Sequence, residues 1–501
     1  MDDDDEFSVP EDILWPLFTA SSSSTIEKAL THLIPVARGA GGRADLASKN
    51  ILTTVLQLCR TLSCPSNRHL LLLSLKLLRN LCAGEISNQN SFIQQNGVQI
   101  VSGIFNSVGL VSESDYEIVK TGLQVLGNVS LAGEEHQHTV WHQFFPLEFS
   151  KIARVRSRET CDPLCMVIYT CSEGSHVLSA ELDTDQGLHI VAEITESASA
   201  VGFRGDWLKL LLSRICLEKY HFSQLFSKLC PIGNSGTSDD IMSGVDHFVP
   251  ELAFLLSILS EILNEQIRDI TVSNAFGLHL LGIFRSAFGA VDFSSRGKSG
   301  LPTGSAAIDA LGYSLIILRD ICASDGLRGS KGEGTVDVNV LLSSGLLELL
   351  LSCLRELEPP AIIRKTIKQS DNQEGSTHFS SEENHKGTTY LPKFCPYKGF
   401  RRDLVAVVGN CVYQRKHVQD EIRQKKAILL LLQQCVTDED NPFLREWGIW
   451  SVRNLLEGNV ENQRVVSDLE LQGSVDVPEI VGLGLRVEVD QKTGRAKLVN
   501  A

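Results

Sequence analysis

Four stretches of this 501-residue chain share one spacing: an Asn, a Gln nine residues later, and an apolar residue three beyond that. They are Asn80/Gln89/Phe92, Asn128/Gln137/Val140, Asn410/Gln419/Ile422 and Asn454/Gln463/Val466, and each Asn follows an apolar stripe such as Leu75-Lys76-Leu77-Leu78-Arg79. Recurrence at fixed offsets marks a chain assembled from repeated supersecondary units. It constrains the fold because one unit cannot bury its apolar face alone and must stack on the next. With 43 % hydrophobic residues there is ample material for a core. A single globule of this length would split into domains, whereas a stack of repeats grows along one axis.

The periodicity says which kind of unit repeats. From about Leu46 onward, apolar residues recur at three- and four-residue spacing, as in Leu52, Val55, Leu56, Leu58 and Cys59, or Ile118, Val119, Leu123, Val125 and Leu126. That is the pattern of helices packed on more than one side. Breaks at Gly84, Gly97, Gly109 and Gly133 separate them. Polar loops are expected over 232–244, 294–305 and 326–335, and a longer, mobile polar insertion over 365–393. The tail differs: Leu485-Arg486-Val487-Glu488-Val489-Asp490 and Arg495-Ala496-Lys497-Leu498-Val499 alternate around a Gly-containing turn, which predicts a β-hairpin. The expected layout is helical repeats over 1–364, the insertion over 365–393 and a distinct C-terminal module over 394–501, with the helical body running from about Val9 to Leu471.

A net charge of −15 repels phosphate backbones and anionic lipid surfaces, which makes nucleic acid a poor partner. The thirteen cysteines include no CxxC pair, and their apolar helical settings predict buried thiols in a reducing compartment. Met1-Asp2-Asp3-Asp4-Asp5-Glu6 is the opposite of a basic, then apolar, secretory leader. No apolar run reaches the roughly 18 residues of a membrane span. The expectation is a cytosolic protein with no membrane span.

Asn is a mediocre helix former whose amide competes for backbone hydrogen bonds, so its repeated placement needs a reason. One reason is that each amide ties its repeat to a neighbour. The other is that a row of amides, each with donors and an acceptor, binds the backbone of an extended peptide. Leu77-Leu78-Arg79-Asn80-Leu81-Cys82-Ala83-Gly84, followed by Asn88-Gln89 and Gly97-Val98, resembles the junction between the third helix of one armadillo repeat and the next repeat. The resemblance implies an all-α, armadillo-like solenoid in which Asn80, Asn128, Asn410 and Asn454, with Arg79 and Arg453 beside two of them, line a concave surface for protein partners. Midway, in Leu315-Ile316-Ile317-Leu318-Arg319-Asp320-Ile321-Cys322, an Asp stands at the Asn position and Gly329 at the Gln position, which interrupts the row.

Phe394-Cys395-Pro396-Tyr397-Lys398-Gly399-Phe400-Arg401-Arg402-Asp403-Leu404, then Gly409-Asn410, Asn441-Pro442-Phe443-Leu444-Arg445-Glu446-Trp447, Arg453-Asn454-Leu455-Leu456-Glu457 and Asn462-Gln463 are similar to the C-terminal domain of the ataxin-10 family. That likeness implies a cytoplasmic, self-associating scaffold linked to cell survival and cytokinesis through protein partners, with no active site. On the residues themselves, Asn441-Pro442 favours a helix start. Phe443, Trp447, Trp450 and Leu455 follow at helical spacing, which predicts a core stripe, with an aromatic hot spot for a partner as the competing reading. The basic residues Arg401, Arg402, Arg415, Lys416, Arg423, Lys425 and Lys426 read as a solvated face or a receiver for an acidic segment such as Asp2 to Glu6.

Catalytic constellations fail in turn. Gly297-Lys298-Ser299 resembles the end of a phosphate loop, yet Asp292 stands where that loop needs Gly. His136, His138 and His142 lack both an intervening Glu and a third ligand. No GxSxG elbow or kinase signature appears. No catalytic, metal or cofactor residue is therefore assigned. A second function reading is an adaptor that recognises targeting peptides for transport. Such adaptors place a Trp four residues before each ladder Asn, and here only Trp450 does, with Lys76, Gln124 and Ala406 at the other three places.

Overall fold

The computed structural model describes residues 8–19, 22–62, 67–109, 112–230, 248–266, 269–325, 337–364 and 393–469, and the strands at 485–489 and 496–500. Helices form where the leucine periodicity places them. In Arg68–Leu81 the buried set includes Leu70, Leu71, Leu75, Leu77, Leu78 and Leu81, which spans more than one face. Each fully buried leucine stabilises the folded chain by about 2 kcal/mol. Local chemistry fixes the ends. Ser112 and Asp115 form a reciprocal capping box at the start of Glu113–Ser130, and Arg68 of an earlier helix pairs with Asp115 at 2.6 Å. At Gly97 an ideal Cβ would lie 2.6 Å from the Phe92 ring, so the apolar member of the first Asn/Gln/apolar triplet packs on the start of the next helix.

The chain folds as two compact units, 1–292 with 299–344, and 293–298 with 345–501. In the first, one helix per repeat stacks on its counterpart in the next. The series runs through Ser23–Val36, Arg68–Leu81, Glu113–Ser130, Arg158–Gly174, Asp206–Ser213, Pro250–Gln266 and Ala306–Asp325. This is the armadillo-like, all-α architecture, each repeat contacting its neighbours. In the second unit Leu346–Glu356 packs on Phe400–Val412, which packs on Leu444–Leu456. This unit thus starts earlier than the motif-bearing stretch 394–501. The expected loops over 232–244 and 326–335, and the insertion apart from Lys393, lie outside the described residues. Lys393 itself is anchored: its N–H donates to Glu356 O and its carbonyl accepts from Glu358 N–H.

The strands Leu485–Val489 and Ala496–Asn500 pair antiparallel, Leu485 opposite Asn500 and Val489 opposite Ala496. Among the described residues no helix is long and apolar enough to cross a membrane.

The described cysteines are free, and all but Cys230 and Cys435 are buried. Burial pushes the Cys59, Cys161 and Cys171 thiols up to about 12, which suppresses the reactive thiolate. Limited alkylation of the native chain is expected to modify Cys230 and Cys435 first among these twelve, as read by peptide mass spectrometry. Early labelling of Cys59 or Cys171 would contradict the packing.

A second prediction concerns acid. The ring of His279 packs edge-on against Phe222 and Phe226, each centroid at 5.3 Å, and burial depresses its pKa below the ordinary 6.5. A depressed folded-state pKa contributes stability that is fully present above the unfolded value and is lost as pH falls through the folded value. The melting temperature should therefore drop between pH 7 and pH 5, and the drop should shrink in His279→Phe. An unchanged slope in that variant would assign the acid sensitivity to other groups.

Candidate functional site

The repeated amides are engaged across repeats. Asn80 Nδ2 donates to Ile34 O at 2.9 Å, Asn128 Nδ2 to Arg79 O at 2.8 Å and Asn454 Nδ2 to Gly409 O at 3.0 Å. In the last two the acceptor is the carbonyl just before the previous ladder Asn. The Gln residues complete the tie: Gln89 donates to Cys82 O and Asn128 O, and Gln419 to Asn454 O and Glu457 O. One helical unit thus holds the two that flank it through buried carbonyls, which would otherwise go unpaired.

Exposure sorts the sequence-assigned residues. Asn80 and Asn454 are buried, whereas Asn128 and Asn410 are half-exposed. Arg79 reaches back to Asn80 Oδ1 through Nε and Nη2 and to Gln124 Oε1 through Nη1, so one amide oxygen of the row is already taken. Burial, with Arg38 nearby, lowers the Arg79 pKa. Arg453 is exposed and lies over the Trp450 ring at 5.2 Å. At Asp320 the carboxylate takes the Arg319 guanidinium at 2.9 Å.

One element of the tie left no trace in the sequence pattern. Thr170 and Ser179 stand at Asn-to-Gln spacing in Arg158–Gly174 and the helix after it, and neither can bridge as Asn and Gln do. Arg214 supplies the bridge from the following repeat, donating to Ser172 O at 2.7 Å and Ser179 Oγ at 3.4 Å. It opens a π-turn, Arg214–Glu218, and that extra residue per turn hides the position from any search at α-helical spacing.

The C-terminal signature residues build a buried polar hub within the second unit. Gly399 adopts φ +105°, a conformation open to Gly, and its N–H donates to Asp440 O at 2.8 Å. Arg401, 2 % exposed, donates its backbone N–H to Asn441 Oδ1 and its guanidinium to Gln434 Oε1 and Glu358 O. Tyr397 Oη donates to Asp403 Oδ2 at 3.0 Å, and Arg402 pairs with Asp403 Oδ1 at 2.8 Å. Arg296 joins Glu358 to Asp440. Gly297 N–H donates to Cys395 O, and an ideal Cβ on Gly297 would fall 2.0 Å from Pro396 O. The glycine that resembled part of a phosphate loop is a point of close backbone approach.

Residues 400–499 match the family model described as the spinocerebellar ataxia type 10 protein domain. Ataxin-10 of Xenopus tropicalis is 25 % identical over 467 residues, covering 89 % of this chain and 86 % of the relative. Ataxin-10 of Bos taurus is 23 % identical, covering 92 % and 91 %. Over most of its length the chain is similar to ataxin-10, and residues 400–499 match that family's domain. An ataxin-10 homolog of Dictyostelium discoideum is 39 % identical over 103 residues, which cover 21 % of this chain and 17 % of that protein. Among solved structures, a designed armadillo repeat protein in complex with a (KR)4 peptide is similar at 14 % identity and a TM-score of 0.34, over 49 % of this chain and 98 % of its own.

Within the ataxin-10-type domain two sequence expectations need correction. Of the aromatic stripe predicted as core, only Leu455 is buried; Phe443 is 67 % and Trp450 42 % exposed, and Trp447 is intermediate. Helix Leu444–Leu456 buries Leu444, Gly448, Ser451 and Leu455 instead, at equally regular spacing, with Gly448 against Gln434 O and Ser451 Oγ donating to Val405 O. Period alone cannot choose between two faces of one helix. The basic residues, too, do not form one solvated face. Arg401 is internal, Arg415 donates to the carbonyls of Asn410 and Cys411, Arg423 pairs with Asp420 and Glu461, and Lys425 with Glu348; Lys416 and Lys426 are exposed.

Proposed function

We propose that this helical-repeat protein is a non-catalytic scaffold that receives extended segments of partner proteins along its third helices, with Asn128 and Asn410 as the receiving amides. The position of both at the solvent boundary, less buried than Asn80 and Asn454, carries the reading, because an amide there presents donor and acceptor chemistry to a backbone laid across it. Asn80 and Asn454, being buried, support the stack that holds them, and Arg79 and Arg453 flank the row. Family likeness extends the proposal to a cytosolic, self-associating protein acting in cell survival and cytokinesis, with no nucleic acid partner. No cofactor or metal enters it.

The test is affinity capture of partners from lysate with Asn128→Ala/Asn410→Ala beside Asn454→Ala. The double variant should lose captured proteins severalfold with a modest change in melting temperature. Asn454→Ala leaves Gly409 O unpaired and should cost about 1–2 kcal/mol of stability. Unchanged capture by the double variant would leave the row with a structural role alone.

A further inference from the structure

The C-terminal unit buries a cation whose guanidinium meets only neutral acceptors. Arg401, 2 % exposed, donates Nη1 to Gln434 Oε1 at 3.2 Å and Nη2 to the carbonyl of Glu358. Its Nε is enclosed as well and has no hydrogen-bond partner among the described residues. Taking a guanidinium out of water without a counter-charge is costly, and an enclosed donor without an acceptor adds its own desolvation cost.

Arg401 lines a polar cleft of about 250 Å³ within this unit. The cleft forms where the segment after Leu346–Glu356 meets those before Phe400–Val412 and Leu444–Leu456. A second guanidinium in it repeats the pattern: Arg364 gives Nη1 to Glu358 Oε2 at 2.9 Å, while its enclosed Nε has no partner among the described residues. The carboxylates that share the cleft are already engaged. Glu358 is held by Arg296 and Arg364, Asp440 by Arg296, and Asp438 by the Asp440 N–H and Asn441 Nδ2, each at 3.1 Å. Two enclosed N–H donors are thus left with no acceptor from the chain.

We propose that this cleft binds a carboxylate, whose oxygens accept from the Nε–H groups of Arg401 and Arg364. Charge selects the class. Three guanidinium groups and three carboxylates line the cleft, so it gains one negative charge more readily than two, and a phosphate dianion would lie against Asp438 and Asp440. A water molecule accepts hydrogen bonds but brings no charge to oppose Arg401. A carboxylate supplies both, with one oxygen for each donor. Its source is a free acid or the Asp or Glu side chain of a partner, since the chemistry is the same. Occupancy would tie together the three segments that form the cleft and stabilise the unit by mass action. The site lies in the polar hub, apart from the Asn row, so it goes beyond the scaffold reading and is tested independently of it.

Proton–nitrogen correlation spectra of the arginine Nε–H groups in the full chain, recorded as acetate is added at constant ionic strength, read the two donors directly. Two signals should shift saturably. One of them should vanish in Arg364→Met, where acetate affinity should fall about tenfold or more with the loss of one charge-assisted bond. Ala361→Leu adds bulk to another residue of the cleft and should abolish the shifts while helical circular dichroism is unchanged; it decides the matter if Arg364→Met does not fold. Lys416→Gln, an exposed residue outside the cleft, should leave the titration as it was. In a second arm a capped glutamate replaces acetate, with capped glutamine as control. Tighter binding than acetate assigns the source to a partner's side chain, and weaker binding assigns it to a free acid. Signals unmoved by acetate would leave only water in the cleft and overturn the proposal. Shifts of equal size with chloride, or persisting in Ala361→Leu, would mean an adventitious ion only and overturn it equally.

Discussion

Replacing Asp403 with Ala should lower the stability of the C-terminal unit by about 3 kcal/mol, the usual cost of removing one partner from a buried ionic network. Asp403 is fully buried, accepts from Tyr397 Oη and pairs with Arg402, so its loss leaves a phenol and a guanidinium without their common acceptor. For a unit of this size the change corresponds to a melting transition roughly 6–12 °C lower. Asp403→Asn keeps an acceptor oxygen for one of the two and should fall between. Differential scanning calorimetry resolves the series; an Ala variant melting with the unmodified chain would show that the hub adds nothing.

Gly297→Ala should be almost as costly. The added methyl would meet Pro396 O at 2.0 Å and Pro396 C at 2.4 Å, both backbone atoms that no rotamer change can move. Relief requires separating 293–298 from 393–397, which breaks the bonds from Gly297 N–H to Cys395 O and from Phe394 N–H to Phe293 O. Overpacking of this kind costs about 1–3 kcal/mol, and the value should lie at the upper end because backbone must yield. The measurement is urea unfolding, with protection of the Gly297 and Phe394 amides followed by hydrogen exchange. Wild-type stability would mean that these segments are not held as described. The substitution also separates the two readings of Gly297-Lys298-Ser299, since a nucleotide loop would lose binding while its fold survived.

Much of the architecture was legible because helices are written in local spacing. Leucines three and four apart defined Arg68–Leu81, and the fixed Asn-to-Gln offset marked where one unit joins the next. The alternation at the tail likewise located the paired strands. Less of the candidate site was legible. Asn80 and Asn128 look alike in sequence, yet one is buried and the other half-exposed. Arg214 belongs to the same system of ties and carries no motif, because its geometry depends on a π-turn. The stripe of Phe443, Trp447 and Trp450 has the spacing of a core face and is not one, since Gly448 and Ser451, smaller and more polar, let the helix approach its neighbours on the other side.

The sequence by itself determined that this chain forms stacked helical repeats ending in a strand pair, and that its C-terminal hundred residues carry the family signature. Periodicity and turn chemistry act within a few residues and need no knowledge of what lies across the fold. The tertiary structure decided which amides lie nearer solvent, which signature residues are internal supports, and which side of helix Leu444–Leu456 is buried. Those outcomes depend on partners 35 to 49 residues away, as in Gln419 to Asn454 O and Asn128 to Arg79 O. A helix encodes its apolar faces in its own spacing, but burial of a face requires a neighbour, and the neighbour is a property of the whole chain.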